Sequence, residues 1–206
     1  MGDHVLFFYG TLMAPQILHR VIHGSPTPEQ WQKDLVRFRP AILHDFRRHR
    51  VRGADYPGII RARTQTQMQT SQKGAEEETI AAPLPGSESS ASVLGTVVSG
   101  LTDGDIHRLD IFEGSEYIRE KVSVRILKET LVEDTNDQED EEDADRHLKD
   151  VLEAARAEIA DEGEEVAAET YVWIAGRQRL EDAEWDFEAF KRDKMAWWVA
   201  ADESEW

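Results

Sequence analysis

The stretch Leu109-Asp-Ile-Phe-Glu-Gly-Ser-Glu-Tyr-Ile-Arg119 decides how this chain is read. Upstream, Ile106, Leu109 and Phe112 recur at helical spacing behind Thr102, a residue type that caps helix N-termini. Downstream the period drops to two. Ile118, Val122, Val124 and Ile126 fall on one face and Arg119, Lys121, Ser123 and Arg125 on the other, as in a half-buried strand. Gly114 suits the position just past a helix C-terminus. The spacing therefore predicts a helix ending at Glu113 and a strand beginning a few residues later. A carboxylate at such a junction, partly shielded from water, has its pKa raised toward neutrality and can take and return protons. A surface Glu on a last helical turn is the other reading that this stretch allows.

Working outward, the N-terminal run Val5 to Tyr9 is apolar and aromatic throughout and predicts a buried strand. Gly10-Thr11 breaks it. Pro15 suits the first turn of a helix carrying Ile17, Leu18, Val21 and Ile22, and Gly24 ends that helix. A strand, a glycine turn and a helix start in this order present free backbone N–H groups that can hold a carboxylate or phosphate. An ordinary strand-to-helix connection has the same sequence.

Between these two regions, Thr27 to Phe38 accommodates a short helix through Trp31 and Leu35. Pro40 to Arg52 predicts one strand that leaves the core for a solvated basic edge at Arg47–Arg52. Asp55-Tyr56-Pro57-Gly58 reads as a turn, Ile59-Ile60 as the start of another strand and Val93 to Leu101 as a further one. Glu169 to Ala175 reads as the last strand, with Val172 and Ile174 on one face and Tyr171 and Trp173 on the other. Glu181 to Val199 reads as a closing helix docked through Trp185, Phe190, Trp197 and Trp198.

Two segments stand apart. Residues 65–92 are rich in Gln, Thr, Ser, Glu, Gly and Pro and are expected to be a disordered insertion. Residues 128–168 form an acidic, partly helical one, with Leu148, Val151, Leu152, Ala155 and Ile159 at helical spacing. That stripe could dock on the domain or on a protein partner. Glu129 to Glu169 holds eighteen acids against three bases, so most of the net charge of −18 belongs to this region. The charge says little about what the remainder binds.

Composition removes several chemistries. The 206 residues suit one domain carrying insertions. With no cysteine there is no thiol nucleophile, thiolate metal site or disulfide. A nucleophile elbow, a P-loop and a dinucleotide fingerprint are all missing. The seven His residues show no metal-ligand spacing, and His4, His19, His23 and His147 read as surface residues, so neither metal nor cofactor is expected. Arg47–Arg52 lacks a supporting basic helix or aromatic ladder, so no nucleic-acid partner is expected. The N-terminus has no basic region before its short apolar run, and no stretch has the length of a membrane span. The expectation is a cytoplasmic protein that does not engage a membrane.

Tyr9-Gly10-Thr11-Leu12, followed about a hundred residues on by Phe112-Glu113-Gly114 and Tyr117-x-Arg119, resembles the gamma-glutamyl cyclotransferase-like superfamily, in particular its plant avirulence-induced-gene-like branch. Pro40-Ala41-Ile42-Leu43, Arg52-Gly53-Ala54-Asp55-Tyr56-Pro57-Gly58, Tyr171-Val172-Trp173 and Glu184-Trp185-Asp186-Phe187-Glu188 follow the same pattern in the same order. The resemblance implies an α+β fold: a small mixed β-barrel with flanking helices, here carrying two long polar or acidic insertions in a single domain over residues 1–206. It also implies a small-molecule gamma-glutamyl substrate. The turn Gly10, Thr11 and Leu12 would hold its carboxylate, and Glu113 would be the catalytic acid/base that closes the group to 5-oxoproline. Tyr9, Tyr56 and Tyr117 would orient the substrate, with Arg119 tuning Glu113; strand packing and a surface ion pair are the other readings for Tyr117 and Arg119. The rival to an enzyme is a non-catalytic binding module that recruits a protein partner through the acidic helical insertion.

Overall fold

A computed structural model of the chain describes residues 2–62, 91–127 and 162–200. Five strands close into a barrel in the order β1-β5-β2-β6-β7: β1 His4–Phe8, β2 Arg37–His44, β5 Ser92–Leu101, β6 Tyr117–Leu127 and β7 Glu162–Trp173. Neighbours are antiparallel except where β1 meets β7 in parallel at Leu6 and Glu169, so the barrel is mixed. β3 (Phe46–Arg50) and β4 (Pro57–Arg61) form a separate two-stranded sheet. The helices α1 (Pro15–His23), α2 (Gln30–Lys33), α3 (Asp103–Glu113), α4 (Phe187–Asp193) and α5 (Met195–Ala200) flank the barrel.

β1 explains why its sequence runs apolar without alternation. Phe7 and Tyr9 point into the barrel with Leu43, Val97, Val124 and Val172, whereas Leu6 and Phe8 point outward into a second core shared with α1 and α3. A strand covered on both faces has no polar side to show. α3 forms where the spacing places it, and its capping is reciprocal. The Thr102 hydroxyl accepts from the Asp105 N–H, and the Asp105 carboxylate accepts from the Thr102 N–H at 2.9 Å. Thr102→Ala is expected to cost about 1 kcal/mol, read as a lower urea midpoint at unchanged slope. At the other end Gly114, with φ 65° and ψ −158°, takes a positive-φ backbone conformation that side chains disfavour and that stops the helix.

Several expectations need correction. The strand predicted over Pro40–Arg52 is two strands, broken at Asp45, whose φ is 64°. Asp tolerates this conformation better than most side chains. The corner is fixed by the Asp45 N–H donating to Ala91 and the Asp45 carbonyl accepting from Ala62. It turns β3 out of the barrel, so Phe46 and His49 are buried while Arg47 and Arg50 are exposed. The last strand begins at Glu162, not Glu169. Residues 162–168 pair with β6, and Glu165 bonds Arg125, so the acids there stand on a strand. The closing helix is two short ones meeting at Lys194. Asp186 caps the first, and 181–186 stay irregular where Trp185 donates to the Asp55 carbonyl. His19 is buried on α1 against Phe38, stacked on His23; burial and then His23 bring its pKa down to about 4, so it is neutral.

Trp185, Phe187, Phe190 and Trp198 pack as an aromatic cluster, and Trp198 also meets Phe112 edge-on at 6.1 Å. The C-terminal helices thereby clamp the end of α3. Trp197, expected to dock with them, is half exposed. Ser92 and residues 162–168 are strand, which shortens both expected insertions; their remaining parts, including the helix expected at Leu148–Ile159, lie outside the described residues. Among the described residues no helix is long and apolar enough to cross a membrane.

Candidate active site

The end of β1, the end of α3, the start of β4 and β7 meet around one small hollow that opens to solvent. Its walls are Phe7, Phe8, Tyr9, Gly10, Thr11, Leu12, Pro57, Glu113 and Tyr171. Glu113 and the glycine turn, about a hundred residues apart in sequence, thus face the same space.

The turn is built from backbone. After Gly10 the chain makes one turn of 3-10 helix over Thr11–Met13, closed by Met13 N–H donating to Gly10 and Ala14 N–H to Thr11. The N–H groups of Thr11 and Leu12, at the start of that turn, have no acceptor within it. Gly10 is required by crowding: a Cβ there would lie 2.8 Å from Pro57 Cγ. Tyr9 is buried and its hydroxyl donates to the Tyr171 carbonyl at 2.6 Å, tying the turn to β7.

Glu113 is half-buried on the last turn of α3. Burial, and secondarily the charge of Asp110 one helical turn earlier, push its pKa up to about 8. Among the described residues its carboxyl makes no hydrogen bond, so both oxygens are free for a bound group. Asp110 is itself held: the Tyr171 hydroxyl donates to it at 2.8 Å and Arg119 Nη1 lies 3.4 Å away. Burial also raises Tyr9 and Tyr171, the former next by Glu113 and the latter next by its bond to Asp110, so both phenols remain neutral donors.

The structure brings Tyr9, Gly10, Thr11, Leu12 and Glu113 together and leaves Tyr56, Tyr117 and Arg119 outside the hollow's wall. The Tyr117 hydroxyl donates to the Pro57 carbonyl at 2.8 Å, and its ring stands edge-on to Trp173. It supports Pro57, which forms part of the wall. The Tyr56 hydroxyl donates to Glu116, which pairs with Arg179. Arg119 pairs with Asp110 and Glu169 and reaches Glu113 only through Asp110. Two residues near the site escaped the sequence reading. The sequence places Tyr171 only on one face of the last strand, yet it lines the hollow. Arg48 was read as part of a solvated edge, yet it donates to the Tyr9 carbonyl at 3.0 Å. Among the described residues no group of three or more His, Cys, Asp and Glu side chains is arranged to hold a metal ion.

The chain is similar to a set of curated proteins of Arabidopsis thaliana. It is 23% identical to Protein AIG2 C over 189 residues, spanning 92% of this chain and 73% of that one. It is 26% identical to AIG2-like protein B over 198 residues, 96% and 75% of the two chains. With AIG2-like protein D it is 26% identical over 192 residues, 93% and 82%. Among solved structures, the solution structure of an Arabidopsis thaliana protein overlays with a TM-score of 0.47 at 20% identity, over 98% of this chain and 87% of that one. A gamma-glutamyl cyclotransferase specific to glutathione from yeast gives 0.43 at 14%, over 98% and 89%. No family model matches the chain. The resemblance to the avirulence-induced-gene-like branch, carried in the sequence by ordered motifs, extends over more than nine-tenths of the chain.

Proposed function

We propose that this protein is a gamma-glutamyl cyclotransferase-like enzyme that converts a gamma-glutamyl amide into 5-oxoproline and a free amine. One observation carries the reading: Glu113, with its pKa pushed up to about 8, shares a small hollow with the turn Gly10–Leu12.

The N–H groups at the start of that turn hold the substrate's α-carboxylate, which aims the neighbouring α-ammonium at Glu113. The carboxylate of Glu113 takes one proton from the ammonium. The freed amine attacks the side-chain carbonyl of the same glutamyl unit, forming the ring C–N bond. Both reactants belong to one residue, so the protein supplies orientation and not encounter. Glu113 then returns its proton to the departing nitrogen as the old C–N bond breaks, and the second proton of the ring nitrogen passes to the released amine, which leaves as an ammonium, so the reaction balances without water or cofactor. A pKa near neutrality suits a group that must both accept and donate.

The pH dependence follows from this order. Free Glu113 must be ionised to accept a proton, so kcat/KM rises about tenfold per unit below about pH 8 and levels above it, until the substrate amine loses its own proton. A bound ammonium favours the carboxylate, so the corresponding limb in kcat falls at lower pH. The test is to screen glutathione, gamma-glutamyl amino acids and gamma-glutamyl amines for 5-oxoproline release and to record both profiles on any substrate found. Absence of 5-oxoproline from the whole panel removes the proposal.

A further inference from the structure

Of the four arginines in the run Arg47–Arg52, one side chain goes inward. Arg48 reaches from β3 toward the first turn of the chain. Its Nη1 donates to the Tyr9 carbonyl at 3.0 Å and, at a longer 3.4 Å, to the carbonyl of Leu94 on β5; its Nη2 donates to Glu184 at 3.0 Å. The Arg48 side chain is 11% exposed, whereas that of Glu184 is 69% exposed. The guanidinium carbon lies 5.7 Å from the centre of the Trp185 ring. Burying a cation this deeply is costly unless its donors are used. Here the two terminal nitrogens grip the backbone carbonyls of Tyr9 and Leu94 and a carboxylate from the C-terminal segment, while Nε has no hydrogen-bond partner among the described residues.

The Tyr9 carbonyl has a particular consequence for the turn. It belongs to the same planar peptide as the Gly10 N–H, and the two point in opposite directions. Holding the oxygen therefore fixes the direction of that N–H. A carbonyl that accepts from a cation also leaves its own N–H a stronger donor. Gly10 offers no side chain of its own to limit rotation, so an external grip has the most to fix at this peptide. Arg48 is not among the residues that line the hollow, and its effect passes through the backbone.

We propose that Arg48 is a positioning residue: by gripping the Tyr9 carbonyl it aims the amides of the Gly10 turn at the substrate carboxylate, an inference that rests on the cyclotransferase reading for its substrate. Lysine cannot replace it, because a single ammonium cannot match a planar fork spread over three acceptors.

Arg48→Met and Arg48→Lys test this with two readouts. The first is amide hydrogen exchange in the ligand-free protein. Both variants are expected to speed exchange at Met13 and Ala14, the hydrogen-bonded amides of the turn, by about ten- to a hundredfold while the amides of β2, β5 and β6 keep their protection. The second is steady-state kinetics on the substrate found in the screen. KM rises about tenfold or more and kcat changes little, the pattern of a lost binding interaction, with the acid limb of kcat/KM unmoved. Unchanged exchange in the turn overturns the proposal. So does faster exchange of turn and barrel together, which marks a structural role alone, and so does a Lys variant with the parent KM. Should no compound in the panel release 5-oxoproline, the cyclotransferase reading fails by itself, and the exchange readout still decides whether Arg48 holds the turn.

Discussion

Glu113→Gln is expected to lower 5-oxoproline release by about 10²- to 10⁴-fold, the usual contribution of a positioned acid/base, while the barrel stays folded. Glutamine keeps the shape of the side chain but cannot take a proton from the ammonium or give one to the departing amine. Glu113 lies at the end of α3, where its carboxyl carries no hydrogen bond among the described residues, so the exchange breaks none. The same substitution has a signature in stability. The folded pKa, about 8, lies above the ordinary carboxylate range, so between roughly 4.5 and 8 the folded state holds a proton that the unfolded chain has lost. Stability from this group is complete below the unfolded pKa and disappears as pH rises through about 8. Glu113→Gln should remove that decline and make the variant the more stable protein at alkaline pH. Melting curves of both proteins across pH 5 to 9, run beside the activity assay, check both effects. A variant that still releases 5-oxoproline at the parental rate would exclude Glu113 as the proton carrier.

Phe7→Ala carries the largest expected stability loss, about 3–5 kcal/mol. Phe7 is fully buried inside the barrel, and its carbonyl accepts the Thr170 hydroxyl from β7 at 2.8 Å. Its ring lies against Gly95 of β5, where a Cβ would fall 2.6 Å from the ring edge. Removing the ring empties space enclosed by the strands of a closed barrel, which cannot move together to fill it without breaking their ladders. Guanidinium titration should show the loss as a large drop in midpoint. Ile118→Ala provides the contrast. Ile118 is 48% exposed although its strand pattern places it with Val122 and Val124, so its replacement should stay within about 0.5 kcal/mol. Equal losses at the two positions would contradict the placement of β6.

Local signals marked where most elements lie. Thr102 and Gly114 bound α3, Pro15 and Gly24 bound α1, and the unbroken apolar run of β1 announced a strand covered on both sides. The failures share a cause. Asp45 needs a positive φ only because the Ala91 carbonyl and the Ala62 N–H stand where they do, and neither neighbour is close in sequence. Residues 162–168 look like solvated acid until β6 is alongside them. Nothing local shows that the Tyr56 and Tyr117 hydroxyl protons go to Glu116 and to the Pro57 carbonyl, which only the fold brings near.

Sequence alone determined the parts with local causes: the capped helix that ends in Glu113, the glycine break after the first strand, and the order of motifs that sets the family resemblance. Those depend on periodicity, on backbone freedom at glycine and on hydrogen bonds between residues a few positions apart. Tertiary structure decided which parts meet. Closing β1 against β7 brings the first turn beside Tyr171, and the aromatic C-terminal helices pin the end of α3. Whether a carboxylate is shielded or a guanidinium grips a carbonyl depends on atoms distant along the chain, because burial and orientation belong to the packed whole.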